Sequence, residues 1–474
     1  MTVVIASFLQ DKNFINVLYI VAFVLFITGL RQLRGPRTAV RGNQIAAVGM
    51  AVAIVATLLT RGVGDWGLIV VGLAIGTAVG IPSARSVKMT AMPQMVALFN
   101  GVGGGAVALV SFVEYRDELA GGGNPVLSVL VPTLFAAIIG SISFWGSLVA
   151  FAKLQALISG KPVKLPGGSL VNLVLLAAAV VLAVVIAAGT ESQGLFFAIL
   201  VAAGALGVFA VLPIGGADMP VVISTLNAFT GLSAAAAGIA LENAVLIVAG
   251  MLVGASGSIL TKQMADAMNR SVGNVFFSGF GSGGGSVPGA DGDDDVDRTT
   301  RSTSAADVAI QLSYARLVVV VPGYGMAVAQ AQRAVADLAT ALEKRGVEVL
   351  FAIHPVAGRM PGHMNVLLAE ADVPYDHLKE MDDINPEFAR TDVALIIGAN
   401  DVTNPAARNV ADSPIYGMPI LDVDKSQSVI VLKRSMSSGF AGIDNPLFYD
   451  EKTQMLFGDA KASVGEVLAE VQNL

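Results

Sequence analysis

The sequence predicts a multi-span α-helical membrane domain of about nine helices, followed by a soluble α/β parallel-sheet domain. Three observations carry that expectation. The chain of 474 residues is 54% hydrophobic and 14% charged, with a mean hydropathy of +0.70, whereas soluble chains carry about 25% charged residues. The charge is divided: residues 1–270 hold 14 Lys and Arg against 9 Asp and Glu, while residues 271–474 hold 15 against 27. Finally, the β-branched run RLVVVVP at 316–322 leads straight into a glycine turn, the pattern of a buried parallel strand.

A hydrocarbon core about 30 Å thick needs roughly 20 apolar residues in a helix. The stretches near 14–30, 44–60, 66–82, 92–113, 125–152, 169–188, 194–212, 218–240 and 242–261 meet or approach that length. The first is no cleavable signal peptide, because Asp11 and Lys12 precede it and its apolar run is too long. Arg31, Arg34, Arg37 and Arg41 follow it and place the first loop inside. Alternation then puts 11 basic residues inside and 3 outside, with the amino terminus outside and the carboxy-terminal half in the cytoplasm. Gly72, Gly76 and Gly80, Gly101 to Gly105, and Gly250, Gly254 and Gly257 offer small faces for close helix packing.

Polar residues within spans are costly and therefore informative. Asn100 and Asn227 lie well inside the fourth and eighth spans, and Asp218 stands at the start of the eighth. Each Asn is either interhelical glue or part of a hydrated inward proton pathway, with Asp218 near its cytoplasmic end. The absence of cysteine excludes disulfides, thiolate metal sites and a cysteine nucleophile. An acidic second half without a basic stripe argues against nucleic-acid binding.

Residues 271–305 read as a flexible linker, Gly/Ser-rich and then acidic. Its acidic run is not a calcium loop, since Arg298 and Ser304 stand where glycine and glutamate are needed. No metal site is expected. Beyond it, strands at 316–322, 347–353, 392–397 and 428–432 alternate with helices at 327–345, 362–371 and 460–472, which predicts a Rossmann-like parallel sheet. Ligands bind such sheets beyond the strand carboxyl ends. Four polar loops fall there: Gly323-Tyr324-Gly325, 354–361, 398–404 and 433–439.

The first loop supplies a tight turn for a pyrophosphate, although Val328 replaces the third glycine of the usual fingerprint. The acid that NAD sites place after the second strand is missing, for Ala352-Ile353-His354 stands there. Lys433-Arg434 could instead hold a ribose 2′-phosphate, or be a solvated basic pair. These features favour NADP(H). Arg359 could neutralise the pyrophosphate, and Asp401 could hydrogen-bond the nicotinamide amide or ribose. His354, His363 and His377 lack metal spacing and read as structural.

GYGMAVAQAQ at 323–332, HPVAGRMPGHMNVLLAEA at 354–371, IGAND at 397–401, KRSMSSGFAG at 433–442 and GDAKAS at 458–463 resemble the NADP(H)-binding domain of proton-translocating NAD(P) transhydrogenase. PIGGADMPVVISTLNAFTG at 213–231 and GASGSIL at 254–260 are similar to its membrane domain. The resemblance covers essentially the whole chain and matches the beta subunit. It implies hydride transfer from NADH to NADP⁺ coupled to inward proton movement across an inner (cytoplasmic) membrane. The enzyme would be active only with an alpha subunit that binds NAD(H) and brings further helices, in a homodimer of alpha–beta units. The composition shift and the linker divide the chain into domains at 1–270, 271–305 and 306–474.

By motif match the NADP(H) contacts are Gly323, Tyr324 and Gly325; Val356, Ala357, Gly358, Arg359, Met360 and Pro361; Gly398, Ala399, Asn400, Asp401 and Val402; Gly417 and Met418. They continue with Lys433, Arg434, Ser435, Met436, Ser437, Ser438, Gly439 and Phe440, the last group forming a lid, and end with Asp459 and Ala460. Asp401 and Tyr324 are assigned to the catalytic centre. Some family members place a titratable histidine in the helix after an MTxMP motif. The matching position, after MTAMP at 89–93, is Asn100. The other reading is a transporter or channel with a regulatory NADP-sensing cytoplasmic domain.

Overall fold

Each predicted span is a helix in the computed structural model, which describes residues 9–33, 35–60, 63–87, 91–121, 126–159, 163, 167–215, 218–268, 271–277, 299–358, 362–411, 413, 415–437, 439 and 441–474. The helices are α1 (Lys12–Leu33), α2 (Pro36–Leu58), α3 (Trp66–Ser86), α4 (Met92–Ala120), α5 (Leu127–Leu154), α6 (Gly168–Ala187), α7 (Gln193–Val211), α8 (Met219–Ala240) and α9 (Ala244–Ala267). Among the described residues these nine are long and apolar enough to cross a membrane. The chain divides into two compact units, Met1–Gly216 with Val222–Thr261, and Ala217–Val221 with Lys262–Leu474.

The second helix starts eight residues earlier than hydropathy suggests. Pro36 at its first turn and an extended Gly35 before it begin the helix cleanly, since proline's fixed φ suits that position. Arg37 and Arg41 therefore ride on α2, where long cationic side chains reach the interface while their stems stay apolar. In the first unit several glycines sit at backbone contacts. A Cβ on Gly104 would lie 2.9 Å from the Gly140 carbonyl, and one on Gly231 would lie 2.4 Å from the Gly254 nitrogen. The glycines of α3 differ: Gly72, Gly76 and Gly80 meet nothing within 4 Å. A stacked Tyr115–Phe196 pair, 4.8 Å between centroids, anchors one apolar cluster with Leu130, Leu134 and Ile199.

The second unit contains α10 (Val272–Phe277), α11 (Ala305–Tyr314), β1 (Leu317–Pro322), α12 (Tyr324–Val328), α13 (Gln332–Lys344), β2 (Glu348–Ile353), α14 (His363–Glu370), β3 (Leu378–Glu380), α15 (Met381–Ile384), β4 (Val393–Ile397), α16 (Ala406–Asn409), β5 (Ser428–Lys433), β6 (Thr453–Phe457) and α17 (Ala460–Asn473). The six strands are parallel throughout, in the order β3-β2-β1-β4-β5-β6. Every residue of β1 and β4 is buried, as expected of central strands covered on both faces. The order reverses between β1 and β4, which creates the crevice where such sheets hold ligands.

The single helix expected over 327–345 is two. Gln330 takes a left-handed conformation, φ 52°, which a helix cannot accommodate. Before α11, residues 301–303 lie along β6: Met455 N donates to Arg301 O at 2.7 Å and Thr303 N to Met455 O at 3.0 Å. Most of the expected linker, 278–298 with the rejected calcium loop's acidic residues, lies outside the described residues.

Candidate functional site

The loops after β1 and β4 touch backbone to backbone. Gly323 N donates to Ile397 O and Gly325 N to Gly398 O, both at 2.9 Å. Added Cβ atoms would clash, on Gly323 at 2.3 Å from Ala399 N and on Gly398 at 2.5 Å from Gly325 Cα; Gly398 also has φ +67°. Glycine is required here for space and for backbone conformation. The two loops therefore meet backbone against backbone at the crevice, where sheets of this kind receive ligands.

Tyr324 opens the five-residue α12 and faces the ring of buried His363, 6.3 Å between centroids. Gly358 closes the loop after β2 with φ +114°, and a Cβ there would lie 2.4 Å from His363 Nδ1. Ala357 is buried and Ala357 N donates to His354 O at 3.0 Å, while Val356 packs on the sheet core. The neighbouring Arg359, Met360 and Pro361 lie outside the described residues.

His354 is structural, as the sequence suggests. Val356 N donates to its Nδ1 at 3.2 Å, so the ring proton is on Nε2, which donates to Pro419 O at 2.8 Å. Burial lowers its pKa from 6.5 to about 4, against the opposing Pro419 hydrogen bond. An unfolded chain therefore takes up this proton first as pH falls. The stabilisation is complete above pH 6.5 and is lost towards pH 4, a contribution of about 3 kcal/mol. Urea midpoints of the soluble part should fall through this window, and His354→Gln, which offers one donor and one acceptor, should remove that part of the slope. Identical pH profiles for the two proteins would reject the assignment. His377 pairs with Glu343, Nδ1 to Oε1 at 3.0 Å. No cluster of metal-binding side chains occurs among the described residues.

The loop after β4 is held by a distant segment. Asn445 Nδ2 donates to Asn400 O at 3.1 Å and to Asn400 Oδ1 at 3.2 Å. Ala441 N donates to Asp401 Oδ2 at 2.9 Å. A Cβ on Gly439 would lie 2.3 Å from Asn400 Nδ2 and 2.4 Å from Asp401 Oδ1, so this glycine lets the chain fold directly over both side chains. Asn400 Nδ2 is buried and has no hydrogen-bond acceptor among the described residues. Val402 O accepts from Leu421 N at 2.9 Å. Gly417, φ +77°, donates its N–H to Ala407 O at 2.8 Å, and Met418, like Ala441 and Ile443, packs against the cluster of Ala407, Ile415 and Ile420.

After β5 the basic pair diverges. Lys433 turns inward, its Nζ 4.4 Å from the Phe448 ring centroid; burial lowers its pKa, opposed by the charges of Asp444 and Asp401. Arg434, Ser435 and Ser437 are exposed, with the two serine hydroxyls 2.9 Å apart, and Met436 packs on the core. Ser438 and Phe440 lie outside the described residues. Gly458 N donates to Lys433 O at 3.1 Å. Asp459 caps α17, its Oδ1 accepting from Lys461 N at 3.1 Å and Ala462 N at 3.3 Å; Ala460 is buried behind it. The polar loops named by the sequence thus converge on the strand carboxyl ends, and the structure adds Asn445, Asp444 and Phe448 to them.

In the first unit, Asn100 Nδ2 donates to Ser147 Oγ at 2.9 Å and Ser143 Oγ at 3.3 Å. Ser143 Oγ lies 2.6 Å from Thr230 Oγ1 and donates to Leu226 O at 2.9 Å. A polar thread therefore joins α4, α5 and α8. Ser147 and Thr230 were not singled out by the sequence, because hydroxyl residues in helices usually bond their own backbone, as Thr230 also does to Leu226 O at 3.1 Å. Asn227 is half-buried beside Leu226. Asp218, in the second unit, is buried at 9% exposure and its carbonyl accepts from Val221 N at 3.1 Å.

Comparison with known proteins matches this architecture over nearly its full length. The NAD(P) transhydrogenase beta subunit family profile matches residues 15–470. Two curated sequences from Rhodospirillum rubrum, both NAD(P) transhydrogenase subunit beta, are 52% identical over 456 residues, spanning 95% of this chain and 97% of each relative. With membrane-capable helices before a six-stranded parallel sheet, the chain belongs to the NAD(P) transhydrogenase beta subunit family.

Proposed function

We propose that this chain binds NADP(H) at the carboxyl ends of its sheet and, together with an alpha subunit, couples hydride transfer from NADH to inward proton movement. The observation that carries the nucleotide assignment is the close backbone contact of Gly323, Gly325 and Gly398 at the crevice, beside the buried Asn400 amide, which has no acceptor among the described residues. A polar ligand with a close-approaching backbone fits both. Bound NADP⁺ supplies the hydride-accepting ring. The protein's part is to hold it: the glycine loops admit the diphosphate, and Asn400 and Asp401 offer polar groups to the nicotinamide end. Lys433 and Arg434 hold the 2′-phosphate, and the chain from Lys433 to Phe440 covers the site. Residues 1–270, 271–305 and 306–474 act as proton channel, tether and nucleotide domain. The chain resides in an inner membrane with its amino terminus outside, as one alpha–beta unit of a homodimer.

Proton movement is assigned to the Asn100 thread with Asn227, ending near Asp218. Amides and hydroxyls that donate and accept at once can orient a chain of water. Direct transfer needs two nicotinamides nearly in contact, and this chain carries one dinucleotide loop set. Reconstituted alone, it should bind NADP(H) by calorimetry and show no NADH-to-NADP⁺ transfer; adding the alpha subunit should restore transfer without flavin or metal. Full activity of the chain by itself would overturn the divided-enzyme reading.

A further inference from the structure

Lys153 ends α5 and is 4% exposed, an unusual place for an ammonium group. Among the described residues it is held by main-chain carbonyls: Nζ donates to Leu212 O at 2.5 Å and to Ile214 O at 2.7 Å. Those carbonyls lie just past the end of α7, where no further helical turn reaches them, and Leu212 O also accepts from Val163 N at 3.3 Å. A helix carboxy terminus carries about half a negative charge. In membrane transporters, such ends together with unwound carbonyls form sites for small cations. Here the site is filled by a side chain of the protein.

We propose that the Lys153 ammonium is a tethered cation plug that closes the carbonyl end of α7 to protons at the inner end of the bundle. The proposal rests on the coupled-transhydrogenase reading above and adds to it a device against leakage. Lys153 follows Ser147 by six residues on α5, about 9 Å along the axis, so its charge acts on the polar thread that begins at the Asn100–Ser147 hydrogen bond. A fixed positive charge near a water-lined path repels a passing proton. At the effective dielectric of protein sites, a unit charge at that range alters the crossing rate by about tenfold. Removing it also uncovers Ile214 O and leaves Leu212 O with the Val163 N–H alone, and exposed carbonyls attract cations, so the two effects add.

The decisive variant is Lys153→Gln, whose amide can keep the hydrogen bonds but carries no charge; Lys153→Arg keeps the charge. Vesicles containing this chain and its alpha partner are given a pH gradient without nucleotide, and its collapse is followed with a pH dye. Lys153→Gln should dissipate the gradient about tenfold faster than wild type, with hydride transfer in detergent retained, and Lys153→Arg should be as tight as wild type. A Gln variant as tight as wild type overturns the proposal. Failure of Lys153→Gln to assemble also overturns it, because the ammonium would then serve folding. Wild-type vesicles that transfer hydride without moving protons would remove the coupled reading itself; coupled wild type beside a tight Gln variant removes the plug alone.

Discussion

Replacing Lys433 and Arg434 together with alanine should weaken NADP(H) binding by about two orders of magnitude or more and leave NAD(H) binding nearly unchanged. Hydrogen bonds to charged groups contribute about 1.5–3 kcal/mol each, and each 1.4 kcal/mol is about a decade in affinity. The two nucleotides differ only at the ribose 2′ position, so a pair that holds a 2′-phosphate separates them. The side chains will not behave alike when changed singly. Lys433 rests over Phe448 and feels the charges of Asp444 and Asp401, so Lys433→Ala also disturbs local packing. Arg434 is exposed, and Arg434→Ala should lower affinity without affecting stability. Calorimetry with both nucleotides checks this, and equal losses for NADP(H) and NAD(H) would reject the 2′-phosphate role.

Asn100→Leu should abolish proton uptake by sealed vesicles while NADP(H) binding stays at the wild-type level. The side-chain amide bridges the Ser143 and Ser147 hydroxyls, and Ser143 continues the thread to Thr230. Leucine has the same branched four-atom side-chain skeleton and no polar atom, so it breaks the thread without opening a cavity. Asn227→Leu should show the same loss if that side chain lines the same path. Pumping by Asn100→Leu at the wild-type rate with normal hydride transfer would make Asn100 packing glue and place the pathway among the partner's helices.

What the sequence displays depends on how a feature is written in it. Twenty apolar residues announce a span, and RLVVVVP followed by glycine announces a strand and its loop. The three-residue, partly polar β3 and the mixed strand TQMLF at 453–457 have too little periodicity to be seen. They exist because a neighbouring strand offers its edge. Helix α2 began early because proline and glycine marked its start more strongly than its arginines opposed it. The site glycines were legible from their spacing. Asn445 was not, although it holds Asn400 from 45 residues away, because a single long-range contact leaves no trace in local sequence. The same applies to Thr230, and to Lys153, which looks like any basic residue ending a span.

The short pairing of residues 301–303 with β6 has a consequence for handling the soluble part in isolation. An open strand edge is a template for other chains, and natural sheets guard against edge-to-edge association. Here the guard is the polypeptide arriving at the sheet, with Arg301 fastened to Glu451 O at 2.7 Å. A fragment cut at 306 would leave the Met455 amide and carbonyl without their partners and invite self-association at high concentration. A fragment that keeps residues from 299 onward carries its own edge protector, and so is the version suited to crystals, spectroscopy and long storage.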